Sequence, residues 1–169
     1  MPFEPPRPLL TGHLFGRGQP CFGCSPDHPY GFRLVFERVS FGDGRGDGIL
    51  THFTPREHDQ GPPGIMHGGL VSTLADELAA WAVIGILHKF GFTVSFEAKL
   101  RRAIRIGIPL IGRSWLLDDR KRLVDVGVEI EQDGALAFEG RVRFVILDRT
   151  GAERLLGRAL PPEWEVFCR

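Results

Sequence analysis

The sequence predicts an α+β fold in which an antiparallel sheet wraps one long central helix. Three observations predict it. One segment, 68–87, is apolar on nearly every side, the mark of a core helix and not a surface one. Before and after it lie short runs that are apolar or alternate polar with apolar, bounded by turn residues, as strands are. The links between the later runs are too short for crossover helices, so neighbouring strands should run antiparallel.

Taken in order, residues 1–31 are rich in proline and glycine and read as an irregular lead-in. "FRLVFERV" (32–39) and "GILTHFT" (48–54) read as two strands joined by the turn "FGDGRGDG". Residues 55–68 form a loop carrying Pro55, Pro62, Pro63 and Gly64. The helix should start at Gly68-Gly69 and run to about Leu87, with Ser72, Thr73, Asp76 and Glu77 as its only strongly polar positions. After the link "HKFG" the period changes from 3.6 to 2. In "FTVSFEAKL" (92–100), Phe92, Val94, Phe96, Ala98 and Leu100 alternate with Thr93, Ser95, Glu97 and Lys99, which predicts a strand with one wet face. "IPLIGRSWLL" (108–117), "RLVDVGVEIEQ" (122–132) and "ALAFEGRVRFVIL" (135–147) complete the strands. The domain is expected over 32–148, and 149–169 reads as an irregular tail.

A chain of 169 residues is long enough for one domain with a substantial core. Its net charge of zero argues against a nucleic-acid partner or a polybasic membrane anchor. The run "LAAWAVIGIL" (78–87) is too short to span a bilayer, and the proline-rich start does not read as a signal peptide, so a cytoplasmic protein without a membrane is expected. Cys21, Cys24 and Cys168 are an odd count, which disfavours a disulfide framework. "CFGC" (21–24) lacks a second pair or a His-x-x-x-His to complete a zinc site, and lacks the βαβ setting of a redox motif. It reads as a small apolar turn, and no metal is expected.

The stretch "GPPGIMHGGLVSTLADE" (61–77) carries the chemistry. At a helix start several backbone N–H groups have no internal partner, and the helix dipole adds partial positive charge. Gly68 and Gly69 leave those donors unshielded, so a carbonyl or oxyanion can approach them; the other reading, which the pair taken alone favours, is that the glycines serve only a tight turn. Asp76 lies about two turns further on, facing the same way as Ser72 and surrounded by Leu74, Ala75, Leu78 and Ala79. Such a carboxylate is costly unless it meets a cavity or a partner, and burial would suit it to act as a base or nucleophile. The other reading is a carboxylate satisfied by nearby hydroxyls or an arginine. Glu77 points about 100° away and reads as solvated or salt-bridged. Gly68 and Asp76 are separated by about 12 Å of helix, so one carbonyl cannot touch both. If both act on one bond they come from two chains, which predicts a two-fold dimer with shared sites.

This stretch resembles the hot-dog-fold acyl-CoA thioesterase superfamily, and most closely the branch of phenylacetate-pathway (PaaI-like) and 4-hydroxybenzoyl-CoA thioesterases. Their motif is His-Gly-Gly with an acid nine positions after the His, the spacing of His67 to Asp76. "CFGCSPDHPYGFRLVF" (21–36) is similar to a lead-in of one branch, Cys-x-x-Cys-Gly-x-x-Asn-Pro-x-Gly-Leu, with Ser25 and His28 in place of Gly and Asn. The resemblance spans about residues 21–148. It implies that Asp76 attacks the thioester or activates water, that the Gly68 amide of the partner chain polarises the carbonyl, and that Thr93 orients the water or nucleophile. It implies that His67 shapes the loop, with general-base action the lesser reading. It places Gly69 and the loop at Gln60 and Gly61 against substrate, although many relatives carry Asn or Gln where this chain has Gly61. Arg101, Arg102 and Arg105 suit the phosphates of coenzyme A, or else form a solvated basic edge. The implied protein is a homodimer or tetramer whose only coenzyme is the CoA of its substrate. A rival is an acyl-CoA-binding sensor or scaffold without turnover, which Gly61 favours and Asp76 with Thr93 disfavours. A dehydratase or hydratase is a poorer match, since "GIMHGG" does not resemble its loop.

Overall fold

The computed structural model describes residues 9–169. The first eight residues of the expected lead-in, including the proline-rich start, lie outside the described residues. Six strands form one antiparallel sheet: β1 (Phe36–Phe41), β2 (Gly46–Phe53), β3 (Gly91–Leu100), β4 (Leu110–Asp119), β5 (Leu123–Gln132) and β6 (Ala135–Ile146). Their order across the sheet is β1-β2-β4-β5-β6-β3, which leaves β1 and β3 as edges. The central helix α1 (Gly68–Ala82) continues as a π-helical turn, Val83–Leu87, and packs against the sheet. By length and composition Gly68–Leu87 could cross a membrane, but here it lines the core: Leu74, Leu78 and Trp81 have no exposed surface. They meet Ile49, Val124, Val126, Ile130, Phe138 and Val142 on the sheet, all fully buried. Trp81 stacks on Phe36 with ring centroids 4.7 Å apart. From β4, the buried Ser114 hydroxyl donates to the Leu78 carbonyl at 2.7 Å, tying helix to sheet.

Three expectations need correction. The first strand begins at Phe36, not at 32. Phe32 and Leu34 are buried, but their N–H groups bond the Phe22 and Gly23 carbonyls of the lead-in, and Arg33 sits at φ 56°, which an extended strand does not allow. In β3 the strict alternation fails. The register against β6 slips between Thr93 and Ser95, so Thr93 and Phe96 both turn toward α1 while Phe92 and Val94 stay about half exposed. The tail is not irregular: α2 (Arg149–Leu156) is capped by the Asp148 side chain, which accepts from Gly151 N–H at 2.8 Å, and a 3-10 turn covers Pro162–Phe167. Lead-in and tail meet over the far end of α1, where Trp164 donates to the Phe15 carbonyl at 3.2 Å and Phe15 packs on Trp81.

On the outer face of the sheet Asp125 is 1% exposed and ion-paired to Arg143 at 2.6 Å and to Arg141. The Arg143 guanidinium, with Arg141 beside it, holds this carboxyl well below the usual carboxylate range. A folded-state pKa below the unfolded one stabilises fully above about pH 4, and the contribution is lost as pH falls toward the folded value. Asp125→Asn should cost about 1–3 kcal/mol at neutral pH. Denaturation between pH 7 and pH 3 checks this: the difference from wild type should shrink as the solution is acidified.

Candidate active site

The loop before α1 is built around a buried acid. Asp59, 1% exposed, accepts from Arg56 N–H at 2.7 Å and from its guanidinium at 3.1 Å, while its carbonyl accepts from His67 N–H at 2.9 Å. Sequence reasoning passed over Asp59; its signal is an Arg and an Asp three apart in a proline-rich loop. Met66 N–H bonds the Ile104 carbonyl at 2.8 Å, which pins the loop to the segment after β3. The Gln60 amide oxygen accepts from Gly64 N–H at 2.9 Å, closing the turn of the loop. Gly61 lies under His67: a Cβ there would come within 3.0 Å of the imidazole and 3.2 Å of the His67 Cα. The larger Asn or Gln of many relatives would crowd that ring.

His67 is the N-cap of α1. Its Nδ1 accepts from Gly69 N–H at 3.0 Å, and its carbonyl accepts from Leu70 and Val71. This is the loop-shaping role, and it takes the Gly69 donor out of play. Gly68 N–H is left with no acceptor among the described residues. It faces a cleft of about 340 Å³ lined by Met66, Val71, Leu100, Arg101 and Arg102. A donor at a helix start, beside an apolar wall and two guanidiniums, suits a polarised carbonyl whose remainder is anionic.

The three arginines differ. Arg101 is held by Glu139 at 2.7 Å and Arg105 by Asp133. Arg102 has no acidic partner among the described residues and lines the Gly68 cleft.

Asp76 is half-buried, and its Oδ1 accepts from Thr93 Oγ1 at 2.8 Å. Its other oxygen has no protein partner, yet is not sealed off, since no buried polar side-chain atom lacks a partner among the described residues. Burial raises the Asp76 pKa, with the Thr93 bond opposing. The hydroxyls on its own helix do not satisfy it: Ser72 and Thr73 bond back to the Gly68 and Gly69 carbonyls at 3.1 and 3.0 Å. No arginine does either. The reading of Asp76 as a carboxylate satisfied by local partners therefore fails for all but Thr93, which arrives from β3 because of the slip in register. Within one chain, Gly68 and Asp76 remain two turns apart on the helix. A larger cavity of about 570 Å³ lies at the other end of α1, among Leu10, Ile84, His88 and Phe167, away from both.

Glu77 is not solvated or salt-bridged. Its carboxylate accepts from Cys21 Sγ at 3.1 Å, and Cys21 and Cys24 sulfurs lie 2.8 Å apart. The 21–24 turn is small, as expected, but not simply apolar. Nearby, the His28 ring accepts from Gly31 N–H at 2.7 Å and from Tyr30 N–H, closing the turn.

The model of the thioesterase superfamily matches residues 63–137. No curated protein matches the chain. Among solved structures, a thioesterase superfamily protein aligns with TM-score 0.64 and 23% identity, covering 75% of this chain; this chain spans only 63% of that protein's length. A phenylacetic acid degradation-related protein from Ralstonia eutropha aligns with TM-score 0.59 and 21% identity over 68% of this chain and 85% of that one. A hypothetical thioesterase protein from Streptococcus pneumoniae, solved with coenzyme A, aligns with TM-score 0.57 and 17% identity over 66% and 87%. Residues 63–137 thus match the thioesterase superfamily, and the chain carries the hot-dog fold of its members.

Proposed function

We propose that the chain is an acyl-CoA thioesterase acting as a dimer, with Asp76 as nucleophile or general base. The carrying observation is the half-buried Asp76 carboxylate, hydrogen-bonded among the described residues only to Thr93 and with one oxygen available. As nucleophile, that oxygen attacks the thioester carbon, the carbonyl electron pair moves onto oxygen, and collapse expels the CoA thiolate; water then cleaves the acyl anhydride. As base, Asp76 takes the proton of a water that attacks directly. In either route the Gly68 N–H of the partner chain stabilises the oxyanion. Arg102 at the mouth of the cleft fits a CoA phosphate, in keeping with the coenzyme A held by the Streptococcus protein.

The edge strand β3 supports the dimer. One side of it has no strand partner, and it exposes Phe92, Val94 and Leu100 at 48%, 53% and 54%. An apolar unpaired edge is a seam for a second copy. Pairing there brings Thr93 and Asp76 of one chain toward the Gly68 cleft of the other.

The test is release of free CoA thiol from short, long and aromatic acyl-CoAs, with the association state measured by sedimentation. Turnover of at least one class by a dimer supports the proposal. Tight acyl-CoA binding without turnover on any of them replaces it with a binding protein.

A further inference from the structure

We propose that Cys21, Cys24 and Glu77 form a binding site for a zinc-class divalent metal ion, which clamps the lead-in turn to α1. The site is separate from thioester hydrolysis, and nothing in it depends on Asp76 being catalytic. The three donor atoms lie within 4.8 Å of one another. The sulfurs are 2.8 Å apart and Cys21 Sγ is 3.1 Å from Glu77 Oε1. A tetrahedral ion with metal–sulfur bonds of about 2.3 Å and metal–oxygen bonds of about 2.1 Å spaces its sulfurs about 3.8 Å apart, so the ligands need to spread by about 1 Å. The sequence, with one Cys-x-x-Cys and no second pair or His-x-x-x-His nearby, could not show the third ligand. It comes from 53 positions further on, brought in by the helix.

Two further features favour an ion over a bare thiol pair. First, room is made for the carboxylate: a Cβ on Gly23 would lie 2.1 Å from Glu77 Cγ. A turn that only needed to be small would not require the glycine there. Second, the cluster holds three groups that can each become anionic, and Glu77 has no cationic partner among the described residues. A cation is the missing charge. Donors also surround the sulfurs as they do in thiolate sites: Cys24 N–H points to Cys21 Sγ at 3.2 Å, and the Gln19 amide lies 3.9 Å from Cys24 Sγ. Closing the two cysteines into a disulfide would instead remove the Cys21 thiol that donates to Glu77.

The experiment is titration of the reduced full chain with Co²⁺, followed by Zn²⁺. One Co²⁺ per chain should bind, with the near-ultraviolet thiolate-to-cobalt absorption and the visible bands of a tetrahedral ion, both erased by Zn²⁺. Glu77→Gln and Cys24→Ser should each weaken cobalt binding by at least about 100-fold, since even outer-shell changes cost 10–100-fold. The wild-type spectrum stands by itself if a variant fails to fold. Absence of the cobalt–thiolate band in the reduced chain overturns the proposal. So does binding unchanged in folded Glu77→Gln, or isolation of the chain two hydrogens lighter with Cys21 joined to Cys24.

Discussion

Asp76→Asn should lower kcat for acyl-CoA hydrolysis by about 10²–10⁴-fold, the range lost when a general base is removed, and by more if the carboxylate is the nucleophile. The amide keeps an oxygen to accept from Thr93, now at 2.8 Å from the carboxylate, so the helix–β3 contact survives. It also removes a charge that burial penalises. The variant should therefore melt at or above the wild-type temperature while KM changes little. That combination separates lost chemistry from lost structure. Steady-state kinetics beside a thermal melt checks it, and unchanged turnover in a folded dimer would remove Asp76 from the mechanism.

Gly68→Pro should lower kcat by about 10²–10³-fold, the cost of deleting one oxyanion donor. Proline is the residue that removes the N–H and little else here. Position 68 is the first residue of α1, where proline is well tolerated, and its N–H donates to no other group among the described residues. His67 already has φ −63° and ψ 131°, the conformation a following proline requires. The nearest obstacle to a Cβ is the end of the flexible Leu100 side chain at 3.3 Å. The melting temperature should stay close to wild type, and Gly68→Ala, which retains the N–H, should keep most of the activity.

The fold was legible because its signals are local. The mostly apolar 68–87 segment has only one way to be buried, and the alternation of Val124, Val126, Val128 and Ile130 marks the core face of β5. The site was legible where spacing along one helix fixes geometry, as for His67, Gly68 and Asp76. It was not legible where partners come from distant elements. The period-2 pattern of 92–100 by itself puts Thr93 on the wet face; the family resemblance singled it out, and the register slip turns it to Asp76. Glu77 looked solvated because its partners lie in a loop more than fifty positions earlier. Three arginines close in sequence looked equivalent, and only Glu139 on β6 and Asp133 in the turn before it single out Arg102. The short α2 was missed because eight residues make only about two turns, too few for a period to stand out; Asp148 and Gly157 cap it.

Subunit complementation tests the central claim, that each site joins Asp76 of one chain to the Gly68 amide of the other. Asp76→Asn and Gly68→Pro chains, carrying different tags, would be co-expressed and the mixed dimer isolated through both. Each parent homodimer has two defective sites. The mixed dimer has one site with both defects and one with neither, so it should recover about half of wild-type turnover. A folded mixed dimer as inactive as its parents would contradict the account and place the whole reaction within a single chain.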